Sequence, residues 1–387
     1  LFDAFSLSKH TNGENPMIIG CPKEIKPSES RVALTPACVR ELSKHGHTIL
    51  VETAAGAASG FTDADYKTAG ATIIPTAAQV WADTDLIVKV KEPQASEWPH
   101  MRDGQVLFTY LHLAADPDGA QALMDRGVTG IAYETVTSNN GLPLLAPMSE
   151  IAGRLAVQVG AFYLMKPFGG SGILLGGVPG TPPANVAIIG AGIAGENAAR
   201  MALGMGANVT IVDININRLR QLDSQYGPHL KTLMSNEYNV ADVVAAADLV
   251  VGSVLIPGAA TPKLVTRPMI AAMRNGSVLV DIAIDQGGCF EGSHPTTHED
   301  PVFDQDGKQM YCVANMPGAV PRTSTVALTN ATLPYLLRLA DLGWQEALTR
   351  DPHLARGLNV HAGSLTHPEA AEALGRDYVP VDTILVG

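Results

Sequence analysis

Asn185-Val-Ala-Ile-Ile-Gly190-Ala-Gly192-Ile-Ala-Gly195 decides the fold class. A short apolar strand runs into G-x-G-x-x-G, and the residues that follow read as a helix. Gly190 permits the tight turn, Gly192 lets the backbone approach a pyrophosphate, and Gly195 lets helix and strand pack closely. The start of that helix offers free N–H groups and a positive dipole end to phosphate. Asp213 closes the next apolar run, about 20 residues further on, where a carboxylate meets the ribose hydroxyls of a dinucleotide. Such a carboxylate repels a 2′-phosphate, so NAD is expected over NADP. Arg218, one helical turn later, reads as an exposed helix residue, the alternative being that it neutralises a 2′-phosphate.

Outward from this motif, strands are expected at 186–190, 209–213, 249–254 and 278–284. The Gly/Pro-rich stretch 169–183 precedes them, and a long helix is expected at about 148–165. Toward the N-terminus the same alternation recurs. Strands are expected at 17–20, 48–52, 85–90, 106–111 and 130–134. Thr35-Pro36 starts a helix as N-cap and N1, and Gly46 can end it. Thr62 with Asp65 caps another helix that stops at Gly70. After Asn315-Met316-Pro317 a helical region covers about 324–342. The alternation implies α/β architecture: two Rossmann-like domains with parallel sheets flanked by helices, and the active site in the cleft between them. The expected division is a substrate domain of residues 17–143 and 322–387 and an NAD-binding domain of residues 144–321. Residues 1–16 lack a signal-peptide pattern. They are set aside as a cloning remnant or loose extension.

Composition narrows the function classes. Of 387 residues 46% are hydrophobic and 17% charged, which excludes a disordered chain. Net charge is −12 without a basic cluster, so neither nucleic acid nor an anionic membrane is an expected partner. No apolar run reaches the length of a membrane helix. Cys21, Cys38, Cys289 and Cys312 show no C-x-x-C spacing, and a reducing, cytoplasmic setting with buried thiols is expected.

Three polar residues stand where the pattern calls for apolar ones. Lys91 follows the strand at 85–90, His112 follows the strand at 106–111, and Arg31 precedes the first helix. Parallel sheets receive ligands at the carboxyl ends of their strands, where Lys91 and His112 fall. An Arg fork and a Lys point charge suit a substrate carboxylate. Oxidation of a C–N bond needs a base near neutral pH, which suits His. In Val280-Asp281-Ile-Ala-Ile-Asp285 two acids end an apolar strand. Asp285 is the better candidate to face a cleft, and Asp281 the structural hydrogen-bonding residue. His294, His298, Glu299 and Asp300 do not read as a metal site, because Pro295 forbids a continuous helix to align them.

At these residues the sequence resembles the bacterial alanine dehydrogenases, a family that shares ancestry with the NAD-binding subunit of proton-translocating transhydrogenase. The matching stretches are Glu29-Ser-Arg31-Val-Ala-Leu-Thr-Pro36, Lys89-Val-Lys91-Glu-Pro93, Leu111-His112-Leu-Ala114, Leu144-Leu-Ala-Pro-Met148-Ser-Glu150, 190–195, Asp213-Ile-Asn215, 281–288 and Cys312-Val-Ala-Asn315-Met-Pro317. The resemblance implies reversible, NAD-dependent deamination of L-alanine to pyruvate and ammonium. It implies that Arg31 and Lys91 bind the substrate carboxylate, with His112 and Asp285 catalytic. Ser149, Gly190, Gly192, Ile193, Gly195, Asp213, Arg218, Ser235, Val254, Leu255, Ile282, Asp285, Val313, Asn315 and Met316 would contact NAD. A homohexamer is expected. Some members bind magnesium through an acid and a histidine near the positions of Arg338 and Leu342. Neither type stands at those positions, so no such metal is expected. The rival readings are a transhydrogenase subunit, a saccharopine- or lysine-type dehydrogenase, and an NAD-responsive module without catalysis. The first is disfavoured by the absence of a membrane segment, by the chain's ending soon after the return helices, and by the joint presence of Arg31, Lys91 and His112.

Overall fold

The computed structural model describes residues 16–254 and 261–385. Residues 1–15 of the leading segment lie outside it. The chain forms two compact units, one of residues up to 147 together with those from 320 onward, the other of residues 148–319. The first unit contains β1 (Ile18–Cys21), β2 (Thr48–Glu52), β3 (Thr72–Ile74), β4 (Leu86–Val88), β5 (Val106–Thr109) and β6 (Thr129–Ala132). The second contains β7 (Asn185–Ile189), β8 (Asn208–Asp213), β9 (Leu230–Met234), β10 (Leu249–Gly252), β11 (Val278–Asp281), β12 (Val302–Gln305) and β13 (Lys308–Tyr311). The chain then returns to the first with β14 (Leu358–His361) and β15 (Ser364–Leu365).

Both sheets are doubly wound. The first runs β15-β14-β6-β5-β4-β1-β2-β3 and the second β12-β13-β11-β10-β7-β8-β9. In each, the chain starts mid-sheet, builds outward, then crosses back beside the starting strand, the order of dinucleotide-binding folds. Pairing is parallel from β1 to β6 and throughout β7–β11. The antiparallel exceptions are β14 on β6, β15 on β14 and β12 on β13. The central strands are buried on both faces, so they read as apolar runs such as Leu86-Ile-Val88 and Leu249-Val-Val-Gly252. Trp81, Ile87, Leu107 and Leu123 fill the first core, and Ile189, Val250, Leu279 and Phe290 the second. Each such side chain contributes about 1.5–3 kcal/mol.

The local signals act as their chemistry demands. Thr35 accepts from Cys38 N and Pro36 opens the helix Pro36–Lys44. Thr62 and Asp65 form a reciprocal capping box, and Gly70 closes that helix in the left-handed region. Two expectations need correction. The strand expected over 278–284 stops at Asp281, because the Asp281 carboxylate accepts from Ala283 N and turns the chain into a 3-10 turn, Ile282–Gln286. Asp281 and Asp285 therefore do not share one strand. The returning segment is also not helices alone: β14 and β15 extend the first sheet.

Candidate active site

The order of the first sheet reverses between β1 and β4, where open α/β sheets bind ligands beyond their strand ends. Arg31 lies on the loop after β1. It is buried, and Glu29 grips its guanidinium at Nε (2.7 Å) and Nη2 (2.5 Å). Burial works against the Arg31 charge, but the Glu29 carboxylate outweighs it and holds the group firmly protonated. Beside Arg31 is a small cavity of about 140 Å³, lined by Lys23, Glu24, Glu29, Ser30 and Ala54 among others. Lys91 stands just past β4, largely buried, with its ammonium 3.9 Å from Glu92.

His112 stands past β5 in a conformation few non-glycine residues adopt, φ +50°. The Glu134 carboxylate, just past β6, holds it there. It accepts from His112 N at 2.5 Å and Leu111 N at 3.1 Å, and lies 3.7 Å from His112 Nδ1. The Tyr110 ring stacks parallel on the imidazole at 5.7 Å between centroids, and its hydroxyl donates to Leu144 O. Burial raises the Tyr110 phenol, and the Arg31 charge only partly offsets it. Strand ends thus bring Arg31, Lys91 and His112 to one side of the first unit. Sequence reading missed Glu134, whose partners lie 22 and 23 residues upstream. A buried-strand pattern ending in an acid was the available signal.

In the second unit the glycine loop follows β7. A Cβ on Gly195 would lie 1.9 Å from Gly190 O, so only glycine lets this helix meet the strand. Gly190 takes φ +101°. At Gly192 nothing lies within 4 Å of an added Cβ, and the helix Ile193–Gly204 that it opens has no side-chain cap. Open space over uncapped N–H groups suits a pyrophosphate. Asp213 ends β8 and binds Ala191 N (2.6 Å) and Asn215 N (2.7 Å), which ties it to the loop. Arg218 is committed elsewhere, donating to Ala191 O (2.8 Å) and pairing with Glu196.

Around these, Ser149 lies in the first turn of the helix Ala146–Tyr163, and Ser235 donates its N–H to Asp213 O. Val254 follows β10, and Leu255 lies outside the described residues. Ile282 opens the turn that exposes Asp285. Val313 and Met316 are buried, and Asn315 takes φ +57°. Asp281 is buried and accepts from Ala283, Cys289 and Phe290 N–H groups, a structural role. A second, open depression of about 690 Å³ beside β9 includes Asp223 and Lys231 but no catalytic grouping.

Among the described residues no three His, Cys, Asp or Glu side chains form a metal-binding group. The His294 ring stacks on Phe303, and Asp341, beside Leu342, is engaged by His45 and His47. No helix among the described residues is long and apolar enough to cross a membrane. All four cysteines are buried and unpaired.

Comparison with known proteins gives concordant matches. Residues 20–152 match the family described as "Alanine dehydrogenase/PNT, N-terminal domain", and residues 156–368 match its C-terminal domain. The chain is 57% identical over 370 residues to the alanine dehydrogenase of Halomonas elongata, spanning 95% of this chain and all of that one. A solved L-alanine dehydrogenase superposes with a TM-score of 0.90 at 50% identity, covering 93% of this chain and 99% of that one. A transhydrogenase from Sinorhizobium meliloti superposes with a TM-score of 0.78 at 27% identity, covering 91% and 99%.

Proposed function

Because the chain belongs to the alanine dehydrogenase/PNT family, we propose that it interconverts L-alanine and pyruvate plus ammonium with NAD as the hydride carrier. The observation that carries this reading is the full-length identity to a curated alanine dehydrogenase. The gathering of Arg31, Lys91 and His112 at neighbouring strand ends supports it. We assign residues 17–143 with 322–387 to the substrate and residues 144–321 to the cofactor.

NAD, when bound, accepts the hydride that leaves the amino acid's Cα. Gly190, Gly192 and Gly195 with the uncapped helix N-terminus would hold its pyrophosphate. Asp213 would hold a ribose, with Ser149, Ile193, Ser235, Val254, Leu255, Ile282 and the 313–316 loop around the rest. Arg218 is engaged by Glu196, so it is not poised to neutralise a 2′-phosphate, which favours NAD over NADP.

The chain's own groups carry the proton chemistry. Arg31 and Lys91 bind the substrate carboxylate and fix Cα. His112 takes the ammonium proton, so that the nitrogen lone pair drives hydride departure and an imine forms. Asp285 and His112 orient the water that adds to the imine carbon. Asp285 takes the proton that the water sheds on addition, His112 returns its proton to the nitrogen as ammonia leaves, and the hydroxyl proton passes by way of Asp285 to solvent as the carbonyl forms. The same groups run the sequence backward from pyruvate. The buried, unpaired thiols fit a reducing compartment, and we place the enzyme in the cytoplasm as a homohexamer.

The test is NADH formation from NAD with L-alanine, glycine, L-serine, L-lysine and L-glutamate compared at equal concentration. Alanine should be strongly preferred. Preference for lysine or glutamate, or hydride exchange between nucleotides without amino-acid turnover, would overturn the assignment.

A further inference from the structure

The reaction scheme leaves unused a cluster of three buried charges in the first unit, Glu24, Lys89 and Glu97. Lys89, one residue past β4, is fully buried. Its ammonium lies 3.1 Å from Glu24 Oε2 and 3.0 Å from Glu97 Oε1, and both carboxylates are nearly inaccessible. Burial opposes the Lys89 charge, but the two carboxylates outweigh it and raise the group above the usual lysine range. Glu24 comes from the loop after β1, so the cluster occupies the point where the strand order reverses. An ion cluster in such a place is seldom more stable than apolar residues of the same volume. Its further contacts give it another purpose.

Glu24 uses its second oxygen on the backbone under Lys91. Oε1 accepts from Val90 N at 2.6 Å and Lys91 N at 3.4 Å. Glu97 anchors the chain just beyond, accepting from Gln94 N at 2.8 Å, and the Gln94 amide donates to Glu92 O at 2.9 Å. Thr109, at the end of β5, donates to Lys91 O at 3.0 Å. Glu24 also lines the cavity beside Arg31, and its charge reinforces that of the guanidinium.

We propose that Glu24, Lys89 and Glu97 form a positioning triad that aims Lys91 and supports Arg31 for the carboxylate of the substrate. Glu24 is its central member: one oxygen holds the buried ammonium, the other the peptide N–H groups of the segment that carries Lys91. The proposal rests on the reading of Arg31 and Lys91 as carboxylate ligands. In this reading the three act through Lys91 and Arg31, which hold the carboxylate.

The experiment compares wild type, Lys91→Ala, Glu24→Gln, Glu24→Asp and Glu97→Gln in the full chain. It measures kcat, KM for pyruvate, KM for NADH, and Tm. Glu24→Asp keeps the charge but shortens the reach to Val90 and Lys91, and Glu24→Gln keeps the reach but drops the charge. Each Glu24 variant should raise KM for pyruvate about tenfold, with kcat within about threefold and KM for NADH unchanged, the pattern of lost ground-state binding. Glu97→Gln, the variant least disruptive to the Lys91 backbone, should raise it about two- to fivefold. Wild-type KM for pyruvate in the folded variants overturns the triad, as does a fall in Tm and kcat that spares KM. If Lys91→Ala leaves KM for pyruvate unchanged, the carboxylate reading itself fails, and this distinguishes the two failures.

Discussion

Alanine substitutions at Gly192 and Gly195 should separate packing from cofactor binding within one motif. At Gly195 the added Cβ would lie 1.9 Å from Gly190 O and 2.7 Å from Ser253 Oγ. The first obstacle is backbone and cannot rotate aside, so the helix Ile193–Gly204 must move off β7. Overpacking of this kind costs about 3 kcal/mol, the upper part of its usual range. At about 2–4 °C per kcal/mol for a unit of this size, Tm should fall by roughly 6–12 °C. At Gly192 the added methyl meets nothing within 4 Å, and φ is −67°, which any residue adopts. Gly192→Ala should therefore leave Tm unchanged, or raise it slightly through the unfolded chain. Its methyl would nonetheless stand over the helix N-terminus where phosphate is to lie, and NAD affinity should fall more than about tenfold, or 1.4 kcal/mol. Calorimetric Tm without nucleotide and titration of NAD test both effects. Wild-type NAD affinity in Gly192→Ala would refute the placement of the pyrophosphate, whatever Gly195→Ala does.

His112→Ala should lower kcat for alanine by about 10²–10⁴ with NADH affinity intact, as expected for loss of a general acid–base; steady-state kinetics and NADH titration check it. Glu134→Gln retains an acceptor for the His112 and Leu111 N–H groups but loses the charge facing Nδ1. It should cost about tenfold in kcat with little change in Tm, whereas Glu134→Ala should lower both. At Glu196, burial raises the carboxyl, but the hydrogen bond and charge of Arg218 outweigh it and hold the group below its ordinary range. A depressed carboxyl contributes stability that is whole above its unfolded value and lost as pH falls through the folded one. Glu196→Gln should therefore flatten the acid side of the stability–pH curve, read by chemical denaturation. It should also release Arg218, so that the ratio of kcat/KM for NADP to that for NAD rises several-fold.

What was legible in the sequence was local. The glycine loop, its flanking strand and Asp213 lie within one βαβ unit, and the caps at Thr35 and Thr62 act over three residues. Both Rossmann-like sheets follow from that alternation. The elements not foreseen were short or lacked apolar continuity. β3 is three residues long, β9 interleaves Lys231 among exposed positions, and β15 is two residues that pair only because β14 returns to β6. The strand at 278–284 was overextended because its apolar run continues past the point where Asp281 turns the backbone. In the site, Arg31, Lys91 and His112 stood out as charges in apolar surroundings. The groups that hold them did not. Glu24 meets Lys89 and Val90 across 65 and 66 positions, and such a pairing exists only once the β1–β4 crossover is formed.

The most direct test supplies L-alanine deuterated at Cα with NAD and follows the label and the products together. The deuterium should pass as deuteride to the nicotinamide ring of NADH without dilution by water, with pyruvate, ammonium and NADH formed in equal amounts. Label lost to solvent, or NADH formed without pyruvate and ammonium, would contradict direct hydride transfer from alanine and the function proposed for this chain.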